Sequence, residues 1–201
     1  MVCLLDRLPV MAAPVRYAFT TDDWRRMGEA GLFGEDDRVE LLDGEVVAMS
    51  PIGSGQAACV KRLARLLSRS VGDRAILSVQ DPVRLDRHSE PQPDLALLRP
   101  RPDFYAAAHP GPADILLLVE VAETSLSFDR DQKAGLYARS GVPVTWVVDL
   151  AGQEVLVLSR PGPNGYLAEE RALRDGRLSL AGLGDLGDVA DLAVDDVLGA
   201  A

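Results

Sequence analysis

Cysteine is almost missing from this 201-residue chain: only Cys3 and Cys59 are present. Two cysteines so far apart supply neither a disulfide framework nor a zinc site, so a reducing, cytoplasmic setting is expected. Long apolar runs are missing as well. No stretch approaches the roughly twenty residues a membrane span needs. The opening Met1-Val2-Cys3-Leu4-Leu5 is broken at once by Asp6 and Arg7, which spoils a signal-peptide core. Residues 1–14 read as a flexible leader ahead of a single domain over 15–201. Basic residues are also scarce: 21 Lys and Arg stand against 31 Asp and Glu, a formal net charge of −10. That argues against an extended basic surface coating nucleic acid, because Lys and Arg contacts to phosphate supply most non-specific affinity. A local basic cleft within an acidic remainder is still compatible with this balance.

Apolar residues make up 47% of the chain, enough to bury one proper core. Thr20-Thr21-Asp22-Asp23 ahead of Trp24 predicts a helix start, with Gly31 as its stop. Two strand-like runs over 38–42 and 45–49 flank Asp43-Gly44 and predict a hairpin with a tight turn. Over 56–71, Val60, Leu63, Ala64, Leu67 and Val71 recur at helical spacing. Lys61, Arg62, Arg65 and Arg69 lie on the other face, which reads as an ordinary solvated face. Strands are expected over 75–79, 82–85 and 95–98, then a loop over 99–113. The run over 115–121 is the most apolar and is therefore expected to be central. A helix over 129–140, a strand over 144–150, weaker strands over 155–158 and 166–172 and a helix near 191–198 complete the reading. The fold class is α/β: a central mixed β-sheet flanked by helices, with an N-terminal helix and β-hairpin.

Two acids break this apolar pattern. Asp94, after Pro93, opens Leu95-Ala96-Leu97-Leu98, and Glu120 sits near the end of Ile115-Leu116-Leu117-Leu118-Val119-Glu120-Val121. A carboxylate at the edge of a buried strand is costly to desolvate unless it binds a metal or a strong hydrogen-bond partner. Two on neighbouring strands would form a hard, oxygen-lined pocket suited to hydrated magnesium. Lys133 downstream then suggests phosphodiester chemistry. Its i,i+4 spacing from Asp129 is also that of a plain surface helix pair, so Lys133→Ala is expected to leave stability nearly unchanged. Tyr137, one turn on, reads as a packing residue, and His88 and His109 as exposed bystanders.

Taken in order, the segments Val39-Glu40-Leu41-Leu42-Asp43-Gly44-Glu45, Glu90-Pro91-Gln92-Pro93-Asp94, Leu118-Val119-Glu120-Val121, Asp129 with Lys133 and Tyr137, and Gly141-Val142-Pro143 before Trp146-Val147-Val148-Asp149 resemble the PD-(D/E)XK nuclease superfamily. More narrowly, they resemble its Uma2 group of restriction-endonuclease-like proteins. The resemblance implies a restriction-endonuclease-like core and a metal-dependent endonuclease that hydrolyses phosphodiester bonds, with DNA favoured over RNA. It implies Mg²⁺, with Mn²⁺ substituting, held by Asp94, Glu120 and the backbone carbonyl of Val121. The lysine usual two residues after the acid is Ala122 here, and Lys133 would take its place from the following helix. Glu40 is assigned to the active site, as a further ligand or a support for metal-bound water. Gln56 stands where the family picture has a histidine. The expected partner is nucleic acid and not a membrane, and a homodimer is suggested by analogy with endonucleases that cut both strands. The competing class is a catalytically weak or inactive nuclease-fold protein acting as a binding or regulatory module. Net charge, Ala122 and Gln56 favour that class, whereas intact Asp94, Glu120 and Lys133 oppose it. Acids clustered without metal should repel, so at least one should have a raised pKa.

Overall fold

In the computed structural model, which describes residues 16–34, 37–184, 186–187 and 189–199, a reciprocal cap opens the first helix. Thr20 Oγ1 accepts from Asp23 N at 3.1 Å, and the Asp23 carboxylate accepts from Thr20 N at 3.0 Å. This capping box fixes α1 over Thr21–Glu29. The hairpin follows as strands β1 (Val39–Leu42) and β2 (Glu45–Ala48). Asp43 at φ 48° and Gly44 at φ 81° give the turn two left-handed residues, the pairing a type I′ turn requires. The loop behind pins it, with Gly44 N donating to His88 O at 2.7 Å and Glu90 N to Leu41 O at 2.8 Å. His88 is thus part of the framework and half-buried rather than a solvent bystander, whereas His109 is exposed.

Helix α2 (Ser54–Val71) buries Cys59, Val60, Leu63, Leu67 and Val71. A six-stranded sheet follows: β3 (Ile76–Val79), β4 (Leu95–Leu98), β5 (Ile115–Ala122), β6 (Val144–Asp149), β7 (Glu154–Gly162) and β8 (Gly165–Leu173). Spatial order equals chain order. Every pairing is antiparallel except β5 with β6. A parallel pair needs a crossover, supplied by a π-helical turn over Phe128–Lys133 that runs into α3 (Ala134–Arg139). The expected single helix over 129–140 is therefore two helical geometries joined. Short strands β9 (Arg177–Leu178) and β10 (Leu192–Ala193) pair with each other, and α4 (Val194–Leu198) closes the described chain.

All eight residues of β5 are buried, as a strand covered on both faces must be. Leu117, Val119 and Val121 share a core with Leu95, Leu97 and α2, while Leu118 joins Ala96, Leu98 and α3 on the other side. One expected strand does not form. Residues 82–85 make isolated backbone hydrogen bonds, Val83 N to Pro91 O and Leu85 N to Ser89 O, but no ladder, because prolines at 82 and 91 remove donors. The basic face of α2 is also not uniform: Arg62 donates to the carbonyls of Val197 and Leu198 at the end of α4. The leader expected over 1–14 lies outside the described residues. Among those residues no helix is long and apolar enough to cross a membrane.

A Cβ added at Gly44 would stand 2.7 Å from Ala18 Cβ, on a backbone already at φ 81°. Gly44→Ala should therefore cost about 1–3 kcal/mol, read as a lower urea midpoint with an unchanged slope.

Candidate functional site

The antiparallel register Leu95↔Val119, continued by one residue, sets Asp94 across from Glu120. Both line one cavity of about 310 Å³, together with Glu40, Asp129, Lys133 and Gln56. The six arrive on five pieces of backbone: Glu40 on β1, Asp94 just ahead of β4, Glu120 near the end of β5, Asp129 and Lys133 on the π-helical turn, and Gln56 on the first turn of α2.

Lys133 is the centre of the charge arrangement and is only 2% exposed. Its Nζ lies 2.9 Å from Glu120 Oε1 and 3.3 Å from Glu40 Oε2. Lys133 thus reaches the cavity of Asp94 and Glu120 from the following helix, as expected, and the alternative of a surface pair with Asp129, with its near-neutral effect on stability, is the part corrected. Both residues are buried, and the ammonium turns to Glu120 and Glu40 rather than to the acid one turn back. Ala122 packs among Ala134, Val147, Leu156 and Leu158, so the position two residues after Glu120 is filled by core. Residue 133, immediately before Ala134, enters the cavity from the side.

Tyr137 packs in the core, as its pattern suggests, but its hydroxyl also donates to Glu120 Oε1. Its place one turn past Lys133 was a usable signal for that contact. Glu40 Oε2 accepts a second bond from Gln92 N at 3.1 Å. Asp94 is the most heavily hydrogen-bonded acid. Gln56 Nε2 lies 3.3 and 3.2 Å from its two oxygens, Gln80 Nε2 donates to Oδ1 at 3.1 Å, and Val121 N donates to Oδ2 at 2.9 Å. Gln80 sits at φ 55°, a conformation uncommon outside glycine. Its carbonyl accepts from Gln92 Nε2, which ties the Asp94 and Glu40 supports together. No periodicity or charge signal in the sequence marks Gln80 or Gln92.

Burial sets the protonation chemistry. It pushes Glu120 up to about 8, against the pull of Lys133 and with help from Asp129, Asp94 and Glu40. Burial raises Asp129 as well, opposed by the Ser125 hydroxyl. For Lys133 burial works against the charge, but Glu120 and Glu40 outweigh it and hold the ammonium protonated. The expected raised carboxyl pKa is thus found at Glu120. The donors facing the cavity are hard oxygens, the set that suits Mg²⁺ or Mn²⁺. Their charge also fits a cation, since the acids lining this space, Glu40, Asp94, Glu120, Glu123 and Asp129, outnumber its two basic side chains, Lys133 and Arg38. Among the described residues no group of three His, Cys, Asp or Glu side chains is arranged to hold an ion. Two carboxylates would therefore need neutral oxygens to complete a shell.

A mixed sheet with acids and a lysine gathered at its strand ends is the architecture of a nuclease-type α/β protein. The chain belongs to the Uma2 family, described as "Putative restriction endonuclease", whose model matches residues 22–193. Among solved structures it is similar to a protein of Anabaena variabilis ATCC 29413 described as "a putative nuclease belonging to DUF820". The identity is 16% and the TM-score 0.69, over 90% of this chain and 97% of that one. At that identity the likeness shows the fold. No curated protein matches the chain.

Two measurements follow from the electrostatics. Glu120 has a folded pKa of about 8 against an ordinary 4.5, so folding favours its protonated form. Its contribution is fully present below about pH 4.5 and is lost as pH rises through about 8. Metal-free protein should lose melting temperature across that window, and Glu120→Gln should flatten the loss. Lys133→Ala takes the cation from two buried carboxylates, leaving Glu120 with the Tyr137 hydroxyl and Glu40 with Gln92 N, and should cost about 3–5 kcal/mol near pH 8, with a smaller loss near pH 5. This replaces the near-neutral effect expected of a surface lysine. Equal urea midpoints for parent and variant would contradict it.

Proposed function

We propose that this protein is a divalent-metal-dependent endonuclease acting on nucleic acid, with DNA as the favoured substrate. The observation that carries the reading is the buried Lys133 ammonium, 2.9 Å from Glu120 and 3.3 Å from Glu40, in a cavity shared with Asp94. Asp94, Glu120 and the carbonyl of Val121 would hold Mg²⁺ or Mn²⁺. The orientation of Val121 supports its part in this: its N–H already meets Asp94, and in a strand the N–H and C=O of one residue point to the same side. When bound, the ion polarises a phosphoryl oxygen and lowers the pKa of coordinated water.

The chain's own residues supply the rest. Lys133 offers positive charge where a phosphate gains negative charge, on an ammonium fixed by two carboxylates. Glu40, held by Gln92 N and Lys133, is placed to orient water or accept its proton. Tyr137 and Lys133 both hold Oε1 of Glu120, which leaves its second oxygen for an ion. The competing reading, a binding module without turnover, is favoured by the same Lys133–Glu120 contact, because an ammonium already occupies part of a carboxylate's coordinating capacity.

Plasmid and single-stranded DNA incubated with the protein and millimolar Mn²⁺ should be cut internally, and chelator should stop the reaction. Asp94→Asn and Glu120→Gln should each lower the rate at least a hundredfold, a typical scale for losing a positioned charged group. The melting temperature of the parent should rise with Mn²⁺, since an ion bound only by the folded state stabilises it. No cutting together with an unchanged melting temperature would leave the binding-module reading standing.

A further inference from the structure

We infer that Gln56 is itself a metal ligand of this site, presenting its side-chain carbonyl Oε1 to the ion held by Asp94 and Glu120. The inference rests on the metal-dependent reading above and extends it to a residue that stands as a departure from the family pattern. Three donors contact Asp94: the amides of Gln56 and Gln80, and the backbone N–H of Val121. Of these, only the Gln56 side chain lines the cavity. Its Nε2 straddles the carboxylate, 3.3 Å from Oδ1 and 3.2 Å from Oδ2, on the side from which a cation in the cavity would meet Asp94. In the metal-free protein the amide hydrogens therefore occupy the place of positive charge.

An NH₂ group carries no acceptor and cannot face a cation. Loading the site forces Gln56 either to leave or to turn its amide over. Turning costs little shape, since the oxygen and nitrogen of a glutamine amide are nearly the same size. The oxygen is also uncommitted, because Gln56 Oε1 makes no hydrogen bond to any described residue. Two of the neighbouring carboxylate oxygens are already engaged, Glu40 Oε2 by Lys133 and Gln92 N, and Asp129 Oδ2 by the Ser125 hydroxyl at 2.5 Å. With no third acid arranged for an ion among the described residues, the shell beyond Asp94 and Glu120 must come from neutral oxygens. Gln56 is the donor to Asp94 whose side chain lines the cavity, and its Oε1 is free to serve. An amide oxygen there selects hard ions such as Mg²⁺ and Mn²⁺, where an imidazole would admit softer ones.

Mn²⁺ titrated into the full chain by calorimetry tests this without reference to activity. Gln56→Ala should weaken Mn²⁺ binding roughly tenfold, and Gln56→Glu, which keeps an oxygen donor and adds charge, should bind at least as tightly as the parent. If Gln56→Ala binds Mn²⁺ as tightly as the parent, or more tightly, the proposal is overturned: the amide then only plugs the empty site. Asp94→Asn separates the two readings. Binding by the parent that is lost in Asp94→Asn but unchanged in Gln56→Ala keeps the metal site and removes Gln56 from it. Failure of the parent to bind Mn²⁺ overturns both.

Discussion

A lysine ammonium with 2% of its residue exposed, between two carboxylates on separate strands, is the constraint around which this molecule is arranged. Desolvating such a charge costs several kcal/mol, and attraction to its partners repays this only when the geometry is good. The geometry here draws on three independent elements. β1 brings Glu40, the inner strand β5 brings Glu120, and the π-helical turn brings Lys133. The hairpin, the sheet register and the crossover must all be in place before the ammonium is satisfied. The loop that clamps the hairpin through His88, Ser89 and Glu90 belongs to the same requirement, since it fixes the depth of Glu40. An apolar trio of similar volume would often be as stable or more so, so the arrangement is better understood as kept for chemistry than for stability.

The same physics explains which parts of the site were legible in the sequence. Asp94 and Glu120 stood out because each interrupts a run that otherwise reads as buried strand, and a charge in that setting demands a reason. The central position of β5 followed from its unbroken apolar character. The burial of Lys133 did not, because an i,i+4 acid–lysine pair looks alike on an exposed helix and on a buried one. Its depth follows from packing around Ala134 and Leu136, which only the folded crossover reveals. The glutamines were less legible still. Gln80 and Gln92 are neutral and follow no period, and the left-handed backbone of Gln80 leaves no trace in composition. Gln56 was visible only as something other than histidine, which says nothing about the carboxylate it meets. The strand expected over 82–85 failed for a local reason: the apolar alternation was real, since Val83 and Leu85 are buried, but prolines denied it a ladder.

Charge distribution follows a related division of labour. In a chain of net charge −10, many arginines are spent holding structure together. Arg62 closes the end of α4, Arg84 pairs with the buried Glu90, and Arg174 bridges Gln153 and Asp195. Lys61, Arg65 and Arg69, exposed on the outer face of α2, have no such contact among the described residues. Gln56 projects from a different side of the same helix, toward Asp94. The helix therefore keeps one flank for the site, one for the core through Leu63 and Leu67, and one for solvent.

The position of the lysine also bears on how the site can be varied. A lysine two residues after Glu120 would be fixed by the strand backbone, but Ala122 lies 1% exposed among Ala134, Val147, Leu156 and Leu158, where a long cationic side chain would displace core. Carried on the crossover instead, Lys133 reaches the same acids without entering that cluster. Its position is then set by its partners rather than by its backbone: Glu120 and Glu40 hold its head, and Tyr137 braces Glu120 from one turn further along. The functional unit is therefore a lysine, a tyrosine and two glutamates that depend on one another. Losing any one of them takes a hydrogen bond or ion pair from a buried neighbour, which is then held by its remaining partner alone.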